Sequence, residues 1–155
     1  MTPFLPSVLA VGLLLAAPAA LAQVDASLQV AGRKFQASGP GECKAAPRAS
    51  IYGVPAALTS VSQRSGRDSL HLTLWQPSSG AAAMMSLSLS LGSKSYVVDT
   101  VKAGTKRDTK GSGKATLEKS GAGGTIAIDA IAAGGEKITG TIRCRAFGGI
   151  HAEGG

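Results

Sequence analysis

The chain has 155 residues, enough for one domain behind a short leader, and its 16 Lys and Arg against 9 Asp and Glu give a formal charge of +7. That balance favours anionic partners through long-range attraction, and the absence of Asn excludes N-glycosylation acceptors and Asn-Gly turns. With one Trp, two Tyr and three Phe, a core has to come from Leu, Ile, Val and Ala on sheet faces.

Residues 1–22 read as a signal peptide. Val8 to Ala17 is an apolar run, Pro18 breaks it, and Ala20-Leu21-Ala22 offers small residues on both sides of Leu21 before Gln23. The run is shorter than the roughly 20 apolar residues of a membrane-spanning helix. It departs from the usual pattern in having no Lys or Arg ahead of the apolar core. No Cys follows the cleavage site and no twin-Arg pair precedes the core, so the expected product is soluble, periplasmic or secreted, and released by the general secretory route.

The domain is expected over 23–147, with a disordered tail over 148–155. Its two cysteines, Cys43 and Cys144, have neither CxxC spacing nor an adjacent His, and in an exported chain such a pair reads as a disulfide. In the chain-entropy model, closing a loop of about 100 residues contributes roughly 4–5 kcal/mol.

Ala26–Val30 alternates apolar and polar, Ala31-Gly32 turns the chain, and Arg33–Ala37 returns as a hairpin partner. Ser38-Gly-Pro-Gly41 is expected to end that strand, with Cys43 at its exit. Lys44 to Val54, punctuated by Pro47 and Pro55, reads as irregular, with Ser50–Tyr52 a short extended or helical turn. Ala57–Gln63 reads as a strand. In Ser69–Trp75, Leu70, Leu72 and Leu74 share one face, and His71, Thr73 and Trp75 the other; Met85–Leu91 alternates strictly. Period-2 patterning of this kind belongs to a strand with one buried and one wet face. Ser95–Val101 pairs as the next strand. After a Gly-rich charged loop over 102–113, three more strands are expected at Lys114–Lys119, Thr125–Ile131 and Lys137–Cys144. Short strands with Gly turns and no helix pattern predict an all-β fold, an antiparallel β-sandwich or small β-barrel of about 8 strands with one disulfide.

The candidate anion-binding residues are Lys102, Lys106, Arg107, Lys110 and Lys114, opposed locally only by Asp108; a solvated hairpin loop is the competing reading. Lys110–Thr116 looks like a P-loop but has Asp108 where the first Gly belongs, and a strand follows it. Val97-Val98-Asp99-Thr100 is followed by Val101, which rules out an aspartic-protease loop. His71 and Trp75 are candidate surface contacts, with Trp75 suited to a sugar or peptide, or to packing under a loop. No nucleophile elbow, Ser-x-x-Lys pair or His-x-x-x-His pair occurs, so no catalytic residue, metal or cofactor is predicted.

Gly39-Pro-Gly-Glu-Cys43, Ser50-Ile-Tyr-Gly53, Gly111–Lys114, Gly121-Ala-Gly-Gly124 and Gly140-Thr-Ile-Arg-Cys144 carry a resemblance to small exported bacterial β-proteins of unassigned role. The closing strands and final Cys are faintly similar to the mycobacterial LpqH lipoprotein antigens, without their lipidation Cys. Neither resemblance implies a catalytic residue. The expectation is a non-enzymatic binding or accessory protein of the bacterial envelope that engages an anionic component or another protein, uses no nucleotide, and does not span the membrane after cleavage. A secreted hydrolase or enzyme inhibitor, or a structural subunit of an envelope assembly, are the alternatives.

Overall fold

The structure is a computed structural model that describes residues 22–150. Residues 1–21 of the expected leader and 151–155 of the expected tail lie outside the described residues. The rest is all β. In chain order the strands are β1 (Ala22–Val30), β2 (Arg33–Ile51), β3 (Val54–Ser65), β4 (Asp68–Pro77), β5 (Met84–Leu91), β6 (Lys94–Asp99), β7 (Ser112–Ser120), β8 (Gly123–Ile131), β9 (Lys137–Cys144) and the short β10 (Gly148–Gly149). They form one curled sheet in the order β6-β5-β4-β3-β2-β1-β9-β8-β7, antiparallel throughout this path, with β10 beside β2. The two ends of the path meet where Asp99 and Lys110 exchange backbone hydrogen bonds of 2.7 and 2.8 Å, so the sheet is a nearly closed barrel.

The interior follows from the alternation. Leu70, Leu72 and Leu74 on β4 and Met85, Leu87, Leu89 and Leu91 on β5 point inward and are buried. Val24, Leu28 and Val30 on β1 and Ile126, Ile128, Ile138 and Ile142 on β8 and β9 do the same from the opposite wall. Phe35 and Tyr96 are the aromatics inside. Each fully buried aliphatic side chain stabilises by about 1.5–3 kcal/mol relative to exposure, which lets a barrel poor in aromatics hold together. The outward positions of β3, β4 and β5 carry Ser, Thr and His: Ser62, His71 and Ser88 lie side by side, as do Ser60, Thr73 and Ser86.

The expected end of the second strand at Ser38–Gly41 and the expected irregular stretch over 44–54 are not observed. β2 runs through both. Its first half, Arg33–Gly41, pairs with β1, and its second half, Glu42–Ile51, pairs with β3. The Gly-Pro-Gly segment is therefore a corner at which one strand passes between two walls of the barrel, the role that bends take in orthogonal packings. A Cβ on Gly41 would lie 2.1 Å from the Gln63 Oε1 and 2.9 Å from the Ser62 carbonyl, so only glycine fits that crossing. Pro40 sits at this corner, and Pro47 in the register shift between Ala46 and Ala49, the places where a sheet tolerates a missing N–H.

Cys43 and Cys144 form the disulfide, with Cα atoms 6.0 Å apart and a sequence separation of 101. The bridge ties β2, just past its corner, to the end of β9, across the start of β1. After it the chain crosses to β2, where Gly148 and Gly149 pair in parallel with Lys44 and Ala45 and the Ile150 N–H donates to Ala45. The segment 148–150, expected as tail, thus continues along the β2 edge that β1 leaves open, because that edge still carries unpaired backbone groups.

Candidate functional site

The loop between β6 and β7 is built, not merely solvated. Its base is closed by the Asp99–Lys110 pair, and Thr100 stitches it to β5: the Thr100 N–H donates to the Met85 carbonyl at 2.9 Å, and the Met85 N–H donates to Thr100 Oγ1 at 2.9 Å. β6 accordingly ends at Asp99 rather than at Val101 as the pattern suggested. Val101 and Ala103 then turn onto the outer side of the barrel. There they form a second small apolar cluster with Ile51 and Ala56, against which Val54, Trp75 and Met84 pack.

Lys106 is the staple of this loop. Its Nζ lies 3.0 Å from Asp99 Oδ2 and donates to the carbonyls of Val101, at 3.2 Å, and of Asp108. Asp99 Oδ1 accepts the Val101 N–H at 3.0 Å. The lysine side chain is only 21% exposed and the carboxylate 24%. A half-buried pair that also satisfies backbone carbonyls orders a loop far better than a free surface pair.

The loop leans on the tip of the β2–β3 hairpin. That tip is Tyr52-Gly53, with φ of +46° and +80°, the left-handed pair of a type I′ turn. A tyrosine there is disfavoured by roughly 1–2 kcal/mol, because its Cβ crowds the following carbonyl. Gly104 packs so close to this tip that a Cβ on it would fall 2.2 Å from the Tyr52 carbonyl oxygen. Tyr52 as a whole is nonetheless 56% exposed.

Between hairpin and loop lies a cavity of about 300 Å³. Tyr52 and Trp75 supply its aromatic surfaces, Ser50 and Ser86 its hydroxyls, and Asp99 with Lys106 its charged pair. Ser86 and Asp99 are opposite each other in the β5–β6 register.

The structure separates the sequence-predicted residues. Lys106 lines the cavity, while Lys102, Arg107 and Lys110 are exposed on the loop around it. The Arg107 guanidinium donates to the carbonyls of Gly104 and Lys106, which fixes it against its own turn. Lys114 is on β7 and lines a different cavity, with Asp129, Ile131 and Lys137. Trp75 is half-buried under the loop as well as lining the cavity, and His71 stands exposed on the outer face of β4 beside Ser62 and Ser88. Tyr52, Asp99, Ser50 and Ser86 escaped the sequence reading as site residues. The signal for the first was Tyr-Gly between Ile51 and Val54, a two-residue turn between apolar strand ends.

Among the described residues no group of His, Cys, Asp and Glu is placed to hold a metal ion, and no helix is long and apolar enough to cross a membrane. No protein-family model, curated protein or solved structure matches the chain.

Proposed function

We propose that this is an exported binding protein of the bacterial envelope, and that the cavity between Tyr52 and Trp75 takes a ring of an acidic glycan. One observation carries the reading: an aromatic residue is held largely exposed at a strained backbone position, and lines, together with a second aromatic, a cavity that contains a charged pair. Strain concentrates where a surrounding structure enforces it, often at ligand sites. Aromatic faces offer broad apolar contact to the C–H faces of a sugar, and the hydroxyls with Asp99 and Lys106 offer donors and acceptors to its substituents. Lys102, Arg107 and Lys110, exposed on the same loop, give long-range attraction for carboxylate, sulfate or phosphate groups on the chain. The disulfide supports an oxidising, extracytoplasmic setting. Inward apolar and outward hydroxyl side chains support a barrel surrounded by water, the reverse of a membrane barrel.

Calorimetric titration with uronic-acid oligosaccharides tests the reading, with neutral oligosaccharides of equal length as the reference. Tyr52→Ala should weaken binding of the acidic ligand by about tenfold or more, the loss expected of an aromatic contact worth about 1.5 kcal/mol. Replacing Lys102, Arg107 and Lys110 by Gln should narrow the preference for acidic over neutral ligand. Binding indifferent to Tyr52→Ala would refute the site.

A further inference from the structure

One end of the barrel gathers a second set of cations, on short turns unrelated to the basic loop. Arg33 and Lys34 follow the β1–β2 turn, Arg64 and Arg67 flank the β3–β4 turn, Lys94 follows the β5–β6 turn, and Lys137 follows the β8–β9 loop. All six are exposed. The sequence scatters them over more than a hundred positions, so no local run betrays them.

Specific contacts hold these turns together. Arg33 donates to the Leu91 carbonyl at 2.9 Å, joining the first turn to the third. Asp68 accepts the Gly92 N–H at 2.8 Å, joining the second to the third. The Ala133 N–H donates to the Val97 carbonyl at 2.8 Å, anchoring the β8–β9 loop on β6. Arg33, Lys34 and Lys137 line one shallow cavity. The carboxylate among the turns, Asp68, is occupied with backbone; Glu136 is half-buried, and Lys137 pairs loosely with Asp129 at 3.5 Å. Lys34, Arg64, Arg67 and Lys94 enter no ion pair among the described residues.

We infer that this end of the barrel is a docking platform for an anionic lipid surface. Its tips are small (Ala31, Gly32, Gly66, Gly92, Ser93, Gly134), and of the carboxylates against them Asp68 accepts the Gly92 N–H and Glu136, beside Gly134, is half-buried, so nothing bulky keeps the cations from a plane of headgroups. The cations are spread around a barrel end instead of along a groove, which matches a surface better than a strand. No aromatic residue lies on the turns to stack on bases, which disfavours single-stranded nucleic acid. Nor does a large exposed apolar side chain occupy the tips, so attachment is electrostatic and reversible by salt. The platform is distinct from the Tyr52–Trp75 cavity and stands or falls independently of it.

Co-sedimentation of the full chain with vesicles of phosphatidylcholine containing 30% phosphatidylglycerol tests the platform, with pure phosphatidylcholine setting the background. Binding should appear with the anionic lipid in 0.1 M NaCl and fall away in 0.5 M, as the screening length shortens. The variant carrying Lys34→Gln, Arg64→Gln, Arg67→Gln and Lys94→Gln should bind about 100-fold more weakly or worse, since each cation near such a surface is worth about fivefold in partition. The charge-preserving set Lys34→Arg, Arg64→Lys, Arg67→Lys and Lys94→Arg should retain binding and shows that the fold tolerates change there. Replacing Lys102, Arg107 and Lys110 by Gln should weaken vesicle binding by less than about tenfold. Equal losses from the loop and platform variants, no dependence on anionic lipid, or capture by heparin with vesicles left unbound would each overturn the inference.

Discussion

Among the described residues, Tyr52 and Ala31 are the two non-glycine residues with positive φ, at +46° and +49°, and each opens a hairpin turn completed by glycine. Their backbone cost is the same in kind, but only Tyr52 brings an aromatic side chain to a cavity; Ala31 borders the shallow one beside Arg33 and Lys137. Glycine at either position removes the crowding of Cβ at some cost in unfolded-chain entropy, for a net gain of about 0.5–1 kcal/mol. Urea unfolding of Ala31→Gly and Tyr52→Gly should therefore show both more stable than the parent. Only Tyr52→Gly should lose glycan affinity, and equal affinity in the two would mean that the ring contributes nothing. Lys106 makes the opposite kind of prediction. Replacing it by Met leaves Asp99 without its partner and frees the carbonyls of Val101 and Asp108. Trypsin should then cut after Lys102 and Arg107 several times faster than in the parent, while the global unfolding midpoint moves little. Unchanged cleavage would show that the loop is held by Val101 and Ala103 alone.

At the level of elements, the strands whose inward and outward residues differ sharply were legible. Leu70-x-Leu72-x-Leu74 and Met85-x-Leu87-x-Leu89-x-Leu91 fall inside β4 and β5, and Ile138, Ile142 and Cys144 point inward from β9. β2 was legible only over its first turn of alternation, because Gly39-Pro40-Gly41 signals a break as strongly as a corner. What distinguishes them is the approach of β3, a non-local contact with no sequence signature. The cavity suffered in the same way. The basic residues of the loop stood out, but Tyr52 and Trp75 are brought to them by β2, β3 and β4, and the platform at the barrel end is assembled wholly from separated turns. The disulfide was legible from the even cysteine count and the expected leader, and its geometry joins two strands that share β1 as a neighbour. Replacing both cysteines by Ser should cost about 2–5 kcal/mol in urea unfolding, toward the upper end because the closed loop is long. A loss below about 1 kcal/mol would mean that the barrel already restricts the unfolded chain without it.

Taken as a whole, the molecule places ten of its sixteen Lys and Arg in two regions with different geometry, four on the β6–β7 loop and six at the turns of one barrel end. The loop cations share one segment whose Lys106 lines a cavity, and the turn cations are spread over one end of the barrel. Salt should act on both, but a glycan bound between rings keeps its apolar contact in high salt, whereas a vesicle bound only by charge does not. β1 carries a consequence of another kind. Its inner neighbour is β2, a hairpin away, but its other neighbour is β9, so that Val30 faces Ile138 and Val24 faces Cys144. Any process that delivers this chain from its N-terminus, whether synthesis or passage through a pore, therefore produces the first strand long before the strand that completes its pairing. Closure must wait for β9, placing this barrel among topologies dominated by distant contacts, which fold over milliseconds to seconds. Until then the barrel stays open along the β1–β9 seam, and a chain delivered in this order remains unclosed, and so threadable, until it is almost complete.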